Sequence, residues 1–356
     1  MRWGFAAALT LCLVLPAKAA PEVETAVARV IQEAILPGYD AFAQAAGRQI
    51  PAVESLCAAP SREALAKARD AFAETVAAWS RVELYRFGPA RQDYRFEKLF
   101  YWPDRKGRGL KQVQATLAKE DPTAAQAASL AGKSVAVQGL PALEYVLFGR
   151  GSESLAQGSA FRCSYARSLA GVVSRHADAL LAAWVGEAGF ARVLLNAGSE
   201  ASPYRTQGEV LQELLRAASE QLQILRDLKI ANSLGKTVEK AKPKRAPFWR
   251  SDLTLANLSG NVAGVRSLME GGLSALLPEA EARHARGLAF ELTQVETTLA
   301  ALAGEEAAWR DLATSVESRQ KLTYVTLPLT GAIEVIAERY PAALGLTLGF
   351  NSLDGD

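Results

Sequence analysis

The sequence predicts an all-α protein built from two helical-bundle halves, and three observations carry that prediction. The chain is 49% hydrophobic with alanine and leucine dominant, β-branched runs are few, and no segment alternates polar and apolar for long. Apolar residues recur instead at helical spacing, as Leu65, Ala68, Phe72, Val76 and Trp79 do. A faint internal echo suggests duplication. Phe100-Tyr101-Trp102-Pro103-Asp104 is similar to Pro247-Phe248-Trp249-Arg250-Ser251, and Leu140-Pro141-Ala142-Leu143-Glu144 to Thr330-Gly331-Ala332-Ile333-Glu334. The order is kept but the spacing is not, so chance similarity between alanine-rich helices stands as the alternative.

Residues 1–20 read as a secretory signal peptide. Arg2 supplies the positive start, Phe5 to Leu15 the apolar run, and Ala17-Lys18-Ala19 a small-x-small signal for cleavage near Ala19 or Ala20. Cys12 follows Leu11 and precedes more apolar residues, which disfavours lipid attachment. The expected location is the periplasm, with no transmembrane segment in the mature chain. Without Arg2 and Lys18, the 40 basic residues become 38 against 38 acidic ones. A balanced charge gives no electrostatic footprint for nucleic acid or an anionic membrane. Cys57 and Cys163 remain, and in an oxidising compartment the simplest expectation is a disulfide, with two buried thiols as the alternative.

The elements follow in order. Residues 21–200 are expected to form the first bundle and 201–356 the second. Glu22 to Leu36 is amphipathic, Pro37-Gly38 breaks or kinks it, and Tyr39 to Cys57 resumes it. Pro60-Ser61 opens a long helix to about Tyr85, ended by Phe87-Gly88-Pro89. An aromatic and charged connection covers 88–110, followed by short helices near 110–119 and 122–132. A helix at 139–148, one from Ser164 to about Gly186, and one from Gln207 to about Ala231 come next. The 235–247 segment, with five lysines or arginines and two prolines, reads as a solvated loop. Helices near 251–275, 280–303, 305–319 and 328–343 precede an apolar, glycine-punctuated end expected to pack against the body.

The chemistry concentrates in two places. Glu144 is a single acid among apolar residues, and such a carboxylate needs a polar partner or a ligand. The connection before it mixes Trp102, Asp104 and Arg105 with further aromatics, and Glu83 ends the preceding helix. One reading has Glu83, Asp104 and Glu144 converging as oxygen donors, suited to iron or another oxygen-ligated metal. The other has Trp102 stacking, Asp104 capping the following turn and arginines pairing with the acids. His176 and His284 lack a second ligand at helical spacing, and the motifs of zinc proteases and nucleophile elbows are absent, so no catalytic residue is assigned.

Four blocks resemble the imelysin-like family, the peptidase M75 grouping: Trp102 to Gly107, Gly139 to Gly149, Phe248 to Ser251, and Leu348 to Asp356. The family's Gly-x-His-x-x-Glu motif matches here at Gly139 and Glu144, whereas Pro141 stands at the histidine position. The resemblance implies an exported, all-helical, two-bundle protein associated with iron-regulated uptake. It points to a non-catalytic binding role, with Glu144 first and Glu83, Asp104, Arg105 and Trp102 in support. Its partner would be a periplasmic or outer-membrane iron-uptake component. The alternatives are an M75-type metallopeptidase and a docking module in which Glu144 pairs with an arginine such as Arg81 and no open pocket exists.

Overall fold

The computed structural model describes residues 20–200 and 202–346. The expected leader, apart from Ala20, and the expected packing of the 348–356 end therefore lie outside the described residues. Among the described residues there are helices of α, π and 3-10 type and no strand, as the composition predicts.

The principal helices are α1 (Ala20–Val30), α2 (Leu36–Ala58), α3 (Arg62–Val82), α4 (Arg108–Lys119), α5 (Gly139–Phe148), α6 (Ala160–Trp184), α7 (Gln207–Gln223), α8 (Thr254–Glu270), α9 (Ala282–Ala303) and α10 (Val316–Glu334). Ser61 starts α3 by accepting the Ala64 N–H at 3.0 Å, and Thr206 caps α7 in the same way. The break expected at Pro37 is a π turn, Ile31–Ile35, which joins α1 to α2. Pro37 then falls at the start of α2, directly after the π turn, so the chain passes the proline without leaving helical conformation.

The separate helices expected near 305–319 and 328–343 are not what forms. A short helix, Trp309–Thr314, precedes α10, which runs through Pro328 into a π turn at Val335–Arg339 and on to Ala343. A proline inside a helix costs about 3 kcal/mol. Here Leu322, Val325, Leu329, Ala332 and Ile333 hold the helical period across it and are all buried, so packing outweighs the lost hydrogen bond.

The helices form two groups. Helices α2, α3 and α6 pack together with α5 laid against α6 and α3, while α7, α8, α9 and α10 make the second group. The groups meet where α8 lies along α3. Gly260 and Gly264 permit that approach, since an added Cβ would stand 2.5 Å from the Ser80 Cβ and 2.2 Å from the Arg81 carbonyl oxygen. One connected apolar core runs through both groups, from Ala26 to Tyr340. Its densest part is aromatic: the Trp79 ring lies 5.3 Å from Phe42, 5.4 Å from Phe96 and 5.9 Å from Phe100.

Cys57 on α2 and Cys163 on α6 form the expected disulfide, with Cα atoms 5.7 Å apart. It closes a sequence separation of 106 residues. Closure on that scale is worth about 4 kcal/mol in the chain-entropy description. The Cys57→Ser/Cys163→Ser variant is expected to lose stability of that order in denaturant unfolding. A mass measurement of the unreduced mature protein is expected to find no free thiol at these two positions.

Candidate functional site

Helix α5 is fixed at both ends. Gly139 begins it at φ 72°, a left-handed conformation, and a Cβ there would stand 2.3 Å from the Lys98 carbonyl oxygen. At the other end guanidinium groups take the last carbonyls: Arg69 donates to Leu147 O (2.9 Å), and Arg162 donates to Val146 O (3.0 Å) and Arg150 O (2.9 Å). Positive charge at a helix C-terminus also suits its dipole.

Glu144, 2% exposed, points from this helix into the turn that follows the basic loop. Its Oε1 accepts from the backbone N–H of Arg250 (2.9 Å), the backbone N–H of Ser251 (3.1 Å) and the Ser251 hydroxyl (3.0 Å). The Arg250 guanidinium stands 3.6 Å from Oε2. Burial raises the Glu144 pKa, and Arg250 and Ser251 oppose the shift. Phe248 and Asp252 adopt left-handed conformations on either side, which turns the two N–H groups toward the carboxylate. The expected ion pair thus exists, but with Arg250 rather than Arg81, whose side chain is exposed.

Beside Glu144 lies an open cleft of about 680 Å³, so the absence of a pocket expected for a docking module does not hold. Trp102, Asp104, Arg105, Pro141 and Glu144 all line it. Trp102 stacks on Phe100 at 6.0 Å and donates its indole N–H to the Arg245 carbonyl at 3.0 Å. Asp104 accepts the Leu110 N–H at 3.0 Å and so caps the first turn of α4. Arg105 is exposed at the rim. The two echoed segments meet here, where Phe100 stacks on Phe248 at 5.3 Å. Their acids do not correspond, because Glu334 is exposed and pairs with Arg339.

Glu83 does not converge with these acids. It is fully buried at the seam between α3 and α8, where Lys229, also 0% exposed, donates to both of its oxygens at 2.8 Å. The ammonium also reaches Asn257 Oδ1 (2.7 Å) and Asn261 Oδ1 (2.6 Å), and both asparagines donate back to Glu83 Oε2 at 3.0 Å. Arg86 completes the shell with a 2.9 Å contact to Oε1. The carboxylate faces two cations and both of its oxygens are hydrogen-bonded, the condition under which a buried ion pair is tolerated. Burial works against both charges, yet Lys229 and Arg86 together hold the Glu83 pKa down to about 2. Burial lowers Lys229 to about 8, against the pull of Glu83.

The donor set does not fit a metal cation. Glu83 is walled off, Glu144 Oε1 is filled by three donors, Asp104 serves as a cap, and Pro141 offers no nitrogen. Among the described residues no three histidines, cysteines or acids lie close enough to hold one. His176 is held down to about 4 by burial and by nearby Lys98, Arg175 and Arg95, and His284 pairs with Glu281, the residue just before its helix.

The loop expected to be solvated contributes to the cleft. Residues 238–240 and 243–245 form 3-10 turns, Ala246 to Phe248 are buried, and Lys244 and Arg245 line the wall. Trp249, Arg250, Tyr145 and Arg310 line it as well. None of these was singled out by the sequence as a binding group. The one available signal was the Phe248-Trp249-Arg250-Ser251 echo.

Fold and site define a helical protein with an aromatic-walled cleft between a buried-acid helix and a basic turn. The imelysin family model, peptidase M75, matches residues 35–333, and the chain belongs to that family. Among solved structures, an imelysin-like protein from Psychrobacter arcticum 273-4 superposes with a TM-score of 0.76 at 21% identity, covering 93% of this chain and 98% of that one. A protein from Parabacteroides distasonis ATCC 8503, provisionally assigned as an iron-regulated protein A precursor, gives 0.71 at 17% identity over 90% of this chain and 95% of that one. No curated protein matches the sequence.

Two outcomes are expected from this geometry. Lys229→Met removes the buried ammonium, leaves Arg86 as the remaining counter-charge to Glu83 and two asparagine oxygens short of a donor, and is expected to destabilise the fold by about 3 kcal/mol in denaturant unfolding. Because the Glu83 pKa falls from 4.5 unfolded to about 2 folded, its contribution is complete above pH 4.5 and is lost as pH drops toward 2. Glu83→Gln is expected to flatten the stability–pH profile across that window.

Proposed function

We propose that this is an exported, non-catalytic binding protein of an iron-uptake system, and that the cleft beside Glu144 is its ligand site. One observation supports this above the rest. The cleft gathers Trp102, Asp104, Arg105 and Glu144 in one open cavity while both acids are already used to hold its walls. Those acids shape a container and leave the contents to other groups. The iron association rests on the family and on the iron-regulated assignment of one structural neighbour. Export rests on the leader-like start and on the disulfide, which suits an oxidising compartment. Among the described residues no helix is long and apolar enough to cross a membrane.

A metallopeptidase needs a bound metal with an open position or a carboxylate able to activate water. Glu144 is buried under the 250–251 turn and offers neither. The Glu144→Gln variant keeps the acceptor but loses the charge, and is expected to weaken the Arg250 contact while preserving the fold.

The expected phenotype is slow growth of a deletion strain when a chelator limits iron, restored by the full chain and not by Trp249→Ala. Equal growth of deletion and parent under that limitation would sink the iron-uptake reading. Restoration by Trp249→Ala would sink the cleft as its site.

A further inference from the structure

The cleft has a charge that the chain as a whole lacks. Six basic side chains line it (Arg105, Arg150, Lys244, Arg245, Arg250 and Arg310) against two acids, Asp104 and Glu144. The excess is local, because the entire chain carries 40 basic and 38 acidic residues. Both acids are spoken for, Glu144 by Arg250 and Ser251 and Asp104 by the Leu110 N–H. Arg105, Arg150, Lys244 and Arg310 form no ion pair among the described residues.

Three of these cations converge on one ring. The Trp249 indole has the Arg250 guanidinium 4.4 Å from its centroid, the Lys244 ammonium at 5.5 Å and the Arg310 guanidinium at 6.0 Å. Cation–π attraction at such sites is worth about 0.5–1 kcal/mol per contact. Like charges grouped around one indole also repel one another, and a concave wall focuses their field outward into the cleft. A metal cation entering there would meet repulsion. An anion would meet several unengaged donors at once, including guanidinium forks suited to carboxylate.

From this arrangement we infer that the cleft binds an organic polyanion, a polycarboxylate either free or as its ferric complex. The inference rests on the reading of the cleft as the ligand site and names the chemistry of its cargo. Inorganic anions are too small to use a cavity of about 680 Å³. The aromatic walls, Tyr101, Trp102, Tyr145, Phe148 and Trp249, call for a ligand that presents carbon faces between its charged groups. Iron would then arrive clothed in its chelator, with no side chain required as a direct ligand. This reconciles an iron-linked protein with a site whose acids are closed.

The test uses the mature, disulfide-intact chain, titrated calorimetrically and by tryptophan quenching with citrate, ferric citrate, sulfate and manganese. Citrate or ferric citrate is expected to bind, at least tenfold more weakly in 500 mM than in 50 mM salt. Comparing the two ligands tells whether the free or the iron-loaded anion is the cargo. Lys244→Glu/Arg310→Glu is expected to weaken binding tenfold or more while its far-UV circular dichroism stays that of the folded wild type; a modest drop in thermal midpoint accompanies the loss of two cation–π contacts to Trp249. Equal binding by that variant, binding of manganese or sulfate alone, or no binding of either citrate form would each overturn the inference. If the citrates fail while Trp249→Ala still cannot support growth on limited iron, only the cargo assignment falls and the cleft remains the site.

Discussion

The rest of the molecule depends on the buried contact between Lys229 and Glu83. It joins the two helix groups at the seam where α8 lies along α3, with Asn257 and Asn261 of α8 closing the shell. An apolar seam could slide by a helical turn at little cost, but a charged pair whose ammonium is ringed by four acceptors and whose carboxylate oxygens are both hydrogen-bonded accepts a single register. The specificity costs stability, because taking both ions out of water is expensive even when they are well paired. The glycines at 260 and 264 make the pairing possible, since only bare backbone lets α3 and α8 come close enough for so short a set of contacts.

That seam and the cleft are mechanically continuous. The Lys229 ammonium lies 5.8 Å from the Phe100 ring and 5.7 Å from Trp102, and Phe100 stacks in turn on Phe248. Phe248 begins the turn whose N–H groups hold Glu144. The aromatic wall therefore rests on a buried charge on one side and anchors a buried carboxylate on the other. Two of the three acids read from the sequence as oxygen donors, Glu83 and Glu144, hold opposite ends of one aromatic stack.

Much of this was legible in the sequence, and the limits have physical reasons. An acid among apolar residues at 144 had to find donors, and a capping role for Asp104 was visible from its place before a helix. The disulfide followed from two cysteines in a chain whose sequence reads as exported. The fate of Glu83 was not legible, because its partner is far along the chain and on a wide helical turn that periodicity does not signal. The cleft's cations come from four separate stretches, at 105, 150, 244–250 and 310, so no local window shows their convergence. Lys244 and Arg245 are exposed, as a charged, proline-broken run usually is; what the sequence did not signal is that Ala246 to Phe248, buried behind them, set these exposed cations at the mouth of a cleft. Pro328 misled for the opposite reason, since local propensity lost to packing.

Lys229 sits in the π-helical turn Ile224–Ala231, where the backbone holds more residues per turn than the α-helix on either side. Each residue of an ordinary helix rotates the next by about 100°, so losing one residue from this turn would swing Lys229 away from Glu83 and carry Asn232 and the basic loop with it. Substitutions along this stretch trade one side chain for another, but a change in its length rephases everything downstream. The segment acts as a gauge of chain length, and a homologue's count of residues between Thr206 and Gly235 tells more about whether it keeps the seam than the identity of most residues there.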